Sequence, residues 1–103
     1  AGQAVCAALV DPGATVALEP VLVTEPLARL LPAAATVYAC GPDPMLQAVA
    51  ALCAEHDMPC QLAMEAAMAC GFGACYGCAV RIDGEWKRLC VEGPVVEAAR
   101  ALC

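Results

Sequence analysis

The amino-acid sequence predicts an α/β fold: half of an α/β sheet over residues 1–60, then a small module over 61–103 built from a cysteine loop and a β-hairpin. Three observations carry this expectation. Short apolar runs alternate with helical stripes in units of strand and helix size. After residue 65 the composition changes, and the run MACGFGACYGCAV holds three cysteines and three glycines with no helical or strand period over its first ten residues. Beyond it, two short apolar runs flank Asp83-Gly84, the sequence signal of a hairpin.

The elements follow in order. Ala4–Val10 reads as a buried strand stopped by the turn residues Asp11-Pro12-Gly13. Val21–Val23 is brief and β-branched at its ends. Thr24-Glu25-Pro26 is a helix start with Thr24 as N-cap; Leu27, Leu30 and Leu31 form one face, and Pro32 ends it. Thr36–Cys40 is extended and stopped by Gly41-Pro42. Asp43-Pro44 then opens a second helix, with Asp43 as N-cap and Pro44 at the first helical position. Pro44–His56 places Met45, Leu46, Val49, Leu52 and Cys53 on one apolar stripe. Met58-Pro59-Cys60 marks the boundary between the halves, and Gln61–Met64 is a last short strand before the cysteines. Ala79–Ile82 and Trp86–Cys90 are the arms of the hairpin.

Composition narrows the function. A chain of 103 residues is one domain by length, with a modest core. Eleven acidic against five basic residues give a net charge of −6, which excludes a nucleic-acid module and argues against a polybasic membrane anchor. The longest stretches without a titratable charge, 30–42 and 66–80, fall short of the ~18 apolar residues of a spanning helix. The N-terminus has no basic segment before its apolar run, so no signal peptide is expected, and the absence of an initiator Met suggests a partial chain. Nine cysteines, an odd number, in an acidic chain expected to be cytoplasmic point to metal binding or redox work before disulfides.

Cys70, Cys75 and Cys78 have the spacing C-x4-C-x2-C, with Cys90 eleven residues further on. This is the plant-type [2Fe–2S] ligand pattern. A rhombic cluster needs two thiolates on each iron, so a short loop must wrap one side of it. Gly71 and Gly73 have no side chains to keep their backbone N–H groups from the inorganic sulfides. For the hairpin, a three-residue loop Asp83-Gly84-Glu85 would set Cys78 opposite Cys90 and gather Val80, Ile82 and Trp86 on the cysteine face, with Arg88 the one misfit. A two-residue Asp-Gly loop would point the two cysteines to opposite faces.

The alternatives are specific. A four-cysteine zinc site is the main competitor, although zinc sites usually pair their last two ligands and Cys90 stands alone. Cys6, Cys53 and Cys60 read as small buried hydrophobes, and Cys103 has no partner at a ligand spacing. His56 is a helix-end residue complementing the dipole. Arg81, Lys87 and Arg88 form a solvated face of the hairpin that could also tune an anionic cluster.

The segments YACGPDPMLQAVAALC and MEAAMACGFGACYGCAVRIDGEWKRLCVEGPVVEA resemble the C-terminal part of the electron-transfer subunit of class 1B dihydroorotate dehydrogenase, a ferredoxin-reductase-like family. Residues 36–103 carry the resemblance closely and 1–35 loosely. It implies a Rossmann-like nucleotide-binding half-domain followed by a [2Fe–2S] domain, with Cys70, Cys75, Cys78 and Cys90 as ligands. It implies that Cys40-Gly41-Pro42 is the family's turn near the nicotinamide, against the plainer reading of Cys40 as a buried strand-end cysteine. It further implies FAD and NAD in the complete protein and an FMN-containing dihydroorotate dehydrogenase catalytic subunit as partner, in pyrimidine biosynthesis. The chain departs from the family in having no Gly-rich phosphate loop and no strands for a flavin barrel, as expected of half a nucleotide domain plus a cluster domain. The tail of an NADH–ferredoxin or sulfide dehydrogenase-type reductase is the alternative reading.

Overall fold

The computed structural model describes residues 21–33 and 36–101. The strand expected at Ala4–Val10, its Asp11-Pro12-Gly13 turn, Cys6 and Cys103 lie outside these residues.

Val21–Val23 is not a strand but the approach to α1 (Thr24–Leu30). Thr24 does not cap this helix: Val23 holds the cap position, its carbonyl accepting from the Leu27 amide at 3.2 Å, and no side chain bonds there. Glu25 and Arg29 pair one turn apart at 2.9 Å on the exposed face. Pro32 does not end the chain's coiling at once, because Leu31–Ala33 continues as a 3-10 turn. Leu31, buried there, joins the core.

β1 (Val37–Cys40), α2 (Asp43–Glu55) and β2 (Cys60–Ala63) form a parallel βαβ unit, with Val37 opposite Cys60 and Cys40 opposite Ala63. The start of α2 lies one residue earlier than expected. Pro42 is the N-cap, its carbonyl accepting from Met45 and Leu46, and Asp43 sits inside the first turn, where its charge suits the dipole. Leu46, Val49, Ala50 and Cys53 are buried at helical spacing, so the predicted stripe is the packing face. The helix closes on a Schellman arrangement: Asp57 takes φ +51°, and the Met58 and Asp57 amides donate to the Cys53 and Ala54 carbonyls. His56 is its C-cap.

β5 (Val95–Glu97) returns antiparallel along β2, with Leu62 opposite Val96, and the following turn α4 (Ala98–Ala101) buries Ala98. The sheet order is β1-β2-β5. The core gathers Leu31, Val37, Leu46, Val49, Ala50, Cys53, Cys60, Leu62 and Ala98, so Cys53 and Cys60 are small buried hydrophobes as expected. The boundary expected at 60/61 falls at the first residue of β2, and the chain comes back to this sheet after the hairpin.

Between β2 and β5 lie the cysteine loop, the hairpin β3 (Ala79–Ile82) and β4 (Glu85–Arg88), and the short helix α3 (Leu89–Glu92). The hairpin takes the two-residue register, Ala79 opposite Arg88 and Ile82 opposite Glu85, correcting the three-residue loop inferred from the cysteines. Asp83 at φ +54° and Gly84 at φ +76° make a turn with two left-handed residues, whose twist matches the strands. The objection to that register was that it would part Cys78 from Cys90. It fails because the ladder ends at Arg88 and Cys90 lies in α3, where strand alternation no longer governs it. Trp86 faces Arg81 across the ladder and is 69% exposed, so it does not join Ile82 in burial. Among the described residues, no helix is long and apolar enough to cross a membrane.

Leu62 is 1% exposed at the centre of the sheet, whereas Leu22 is 77% exposed. We expect Leu62→Ala to cost about 2–5 kcal/mol in denaturant unfolding and Leu22→Ala about 0.5 kcal/mol or less. Equal costs would contradict this core.

Candidate metal centre

The loop 65–78 has no regular structure, and hydrogen bonds to sulfur organise it. The Cys75 amide donates to Cys70 Sγ at 3.5 Å and the Gly77 amide to Cys75 Sγ at 3.4 Å. Across the module the Cys90 amide donates to Cys78 Sγ at 3.5 Å, and the Leu89 amide to the Cys78 carbonyl at 3.3 Å. N–H groups aimed at sulfur favour the thiolate. The amide of Cys75, followed by that of Phe72, pulls the Cys70 thiol down to about 6, and the amide of Cys90 lowers Cys78. Cys90 moves upward because its thiol shares a hydrogen bond with Cys78. Elsewhere, burial followed by Cys53 pushes Cys60 up to about 11, so Cys60 stays a thiol.

Backbone amides link the four cysteines two by two, Cys75 donating to Cys70 Sγ and Cys90 to Cys78 Sγ, and Cys90 also lies within electrostatic reach of Cys70. Among the described residues, no three side chains of His, Cys, Asp or Glu converge on a point that could hold a single metal ion. Cys78 is buried, Cys70 and Cys90 are partly exposed and Cys75 is exposed.

Gly71 and Gly73 take φ +73° and +88°. A Cβ on Gly73 would lie 2.6 Å from Val91 Cγ2 and 3.3 Å from Arg88 Nη1, whereas one on Gly71 would meet open space. The contact arises because Arg88 does not lie on a solvated face as expected. Its Nη1 donates to the Gly73 carbonyl at 3.0 Å and its Nη2 to Glu92 Oε1 at 3.4 Å, and its guanidinium lies 5.0 Å from the centre of the Tyr76 ring. Glu92 Oε2 accepts from the Arg88 backbone amide, and these bonds hold the Glu92 carboxyl below its ordinary range. From the sequence, Arg88 reads only as a misfit of the hairpin and one of a solvated basic group beside the cluster, and Glu92 was not singled out. Their i, i+4 spacing across Cys90 was the available signal.

Cys40 stands at the end of β1 but is exposed, correcting the reading of a buried strand-end cysteine. Its Sγ donates to Glu65 Oε1 at 3.8 Å, linking the Cys40-Gly41-Pro42 turn to the first residue after Met64. Glu65 was not singled out from the sequence. The C-terminal ends of parallel β1 and β2 therefore open toward the start of the cysteine loop.

A parallel βαβ unit thus carries a loop rich in cysteines, and comparison with known proteins shows what the chain is similar to. Residues 65–101 match the iron–sulfur cluster binding domain of dihydroorotate dehydrogenase B. The chain is 39% identical over 85 residues to the electron transfer subunit of dihydroorotate dehydrogenase B (NAD(+)) from Caldanaerobacter subterraneus subsp. tengcongensis, covering 79% of this chain and 34% of that protein. It is 46% identical over 61 residues to the homologous subunit of Aquifex aeolicus, covering 58% of this chain and 24% of that one. The chain thus spans about a third or less of the length of these relatives. Its fold matches that of an NADH-dependent reduced ferredoxin-NADP oxidoreductase, a structure reported for flavin-based electron bifurcation, with a TM-score of 0.68 and 26% identity over 77% of this chain and 29% of that one.

Gly73→Ala should cost about 2–4 kcal/mol, from left-handed strain plus the clash with Val91, and Gly71→Ala about 1–2 kcal/mol, from strain alone. Denaturant midpoints of the two variants check the order, and a Gly73→Ala midpoint at or above that of Gly71→Ala would contradict the contact.

Proposed function

We propose that the chain is the electron-transfer module of a flavoprotein reductase, in which Cys70, Cys75, Cys78 and Cys90 hold a [2Fe–2S] cluster. The observation that carries this is that amide-to-sulfur bonds link Cys75 to Cys70 and Cys90 to Cys78, two by two, because a diiron rhomb takes two thiolates at each end. A zinc ion would ask for all four around one point. When bound, the cluster would accept and release one electron at a time. The residues' own work is to supply the four sulfurs and to aim backbone N–H groups at three of them, from Cys75 to Cys70, Gly77 to Cys75 and Cys90 to Cys78. At Gly71, where a Cβ would meet open space, the backbone would be accessible to the inorganic sulfides.

In the complete protein, we read β1-α2-β2 as the end of a Rossmann-like NAD-binding domain, and 64–94 as the cluster module set between β2 and β5. The Cys40-Gly41-Pro42 turn, exposed at the carboxyl ends of parallel strands, stands where open α/β sheets receive ligands. On this reading Cys70, Cys75, Cys78 and Cys90 would hold the group that carries electrons between the FMN of a dihydroorotate dehydrogenase catalytic subunit and the FAD and NAD of the complete protein, in the cytoplasm. The names of the relatives support it. The likeness to a ferredoxin-NADP oxidoreductase favours a second reading, the tail of another NADH-linked reductase. The electron donor of the complete protein separates the two.

Ser substitution of Cys70, Cys75, Cys78 or Cys90 should each abolish or greatly reduce iron and sulfide after anaerobic reconstitution, while Cys53→Ser leaves the red-brown colour intact. Full iron in any one of the four would remove that residue from the ligand set. A colourless protein carrying zinc after reconstitution would overturn the assignment as a whole.

Residues 1–103 should take up one electron from dithionite but none from NADH at a useful rate without added flavin. Asp43 places a negative charge in the first turn of α2, and Pro44 has no amide to offer a pyrophosphate. Anaerobic titration followed by absorbance and electron paramagnetic resonance checks this, and flavin-free reduction by NADH would contradict it.

A further inference from the structure

We infer that Arg88 is a positioning residue that sets the two cysteine pairs relative to each other, so that cluster retention depends on its guanidinium and not on its charge alone. The inference rests on the proposed function for the identity of the metal group, but its geometry does not. Arg88 ends β4 at the point where the chain leaves the ladder for Cys90. Its side chain reaches back fifteen residues to the Gly73 carbonyl, between Cys70 and Cys75, at 3.0 Å. The same plane lies over Tyr76, between Cys75 and Cys78, at 5.0 Å. One side chain thus touches both inter-cysteine segments of the loop and stands two residues before Cys90.

Glu92 fixes the strut from behind. Its carboxylate accepts from Nη2 at 3.4 Å and from the Arg88 backbone amide. Gly73 is shaped to receive it, since a Cβ there would crowd Arg88 Nη1 at 3.3 Å. The contact needs a planar fork that bonds at one edge and stacks on its face. Lysine has the charge but neither the fork nor the plane. The other arginine of the hairpin bonds only locally, from Arg81 Nε to the Gly84 carbonyl at 3.4 Å, away from the loop.

The test uses the 103-residue chain with Arg88→Lys, Arg88→Met and, as control, Arg81→Met, each anaerobically reconstituted with iron and sulfide. We expect both Arg88 variants to release iron to a chelator about tenfold faster than the parent, the size of effect that partners of metal ligands have, and Arg81→Met to match the parent. The g-values of the reduced cluster should move in the Arg88 variants and not in Arg81→Met. In the metal-free chain, amides 71–78 should exchange faster in Arg88→Lys than in the parent, while those of α2 are unchanged. If the parent takes up no [2Fe–2S] cluster, the proposed function fails and the metal-free exchange alone decides this inference. Parent-like exchange at 71–78 in Arg88→Lys, or parent-like iron release and g-values in both Arg88 variants, would overturn it.

Discussion

The amides of Leu89 and Cys90 both donate to Cys78, one to its carbonyl and one to its sulfur, and the organisation of the module follows from that return. Between them the chain runs out along β3, turns at Asp83-Gly84 and comes back along β4. A hairpin is a stiff spacer whose length is fixed by register. Ala79 opposite Arg88 brings the chain end beside Cys78. Turning into α3 there, rather than extending the ladder by two residues, lets Cys90 approach Cys78 from a helical turn. A continued strand in this register would have turned Cys90 to the other face. The helical turn also carries Glu92 back onto Arg88, so the turn that places the fourth cysteine braces the strut that holds the loop.

The α/β sheet supplies what the module lacks. Between β2 and β5 the buried side chains are Cys78, Ile82 and Leu89, whereas nine buried residues pack around α2 and the sheet. A segment with so few buried apolar groups gains little from desolvation to offset its conformational entropy. Its two ends are nonetheless fixed in adjacent strands, since β2 leads in and β5 leads out, and the Met64 amide bonds the Pro94 carbonyl at 2.8 Å. Closing the loop at its base lowers the entropy that metal binding must overcome. It also starts the cysteine loop at the carboxyl end of β2, where Glu65 meets Cys40.

How much of this was legible in the sequence depended on whether the signal was local. The stripe Leu46, Val49, Cys53 and the run at 37–40 were read correctly because periodicity and punctuation settle them within one element. The cysteine spacing marked the candidate site for the same reason, and the matching domain family covers that segment. What failed was long-range. Register was inferred from where the cysteines needed to be, under the assumption that the strand continued to Cys90, and local turn chemistry at Asp83-Gly84 won instead. The two-part division missed β5, because three residues, Val95–Glu97, carry no signal that they rejoin a strand some thirty positions earlier. Arg88 was set aside as a misfit on a strand pattern. Its partners Gly73 and Tyr76 are neighbours only after the loop has folded over it.

The paired sulfurs also account for where the few positive charges lie. Negative sulfur in a chain of net charge −6 would be repelled by carboxylates brought up to hold the loop. Backbone amides meet the sulfurs instead: Cys75 to Cys70, Gly77 to Cys75 and Cys90 to Cys78. Amide dipoles stabilise negative sulfur without adding a mobile counter-charge that could bind it as a rival ligand would. Arg88 reaches into the loop from the hairpin, and it gives its donors to a carbonyl and a carboxylate while its guanidinium lies over Tyr76. Its positive charge thus stays close to the cysteines yet bonded elsewhere, which lets it brace the loop without capping a sulfur that the metal group requires.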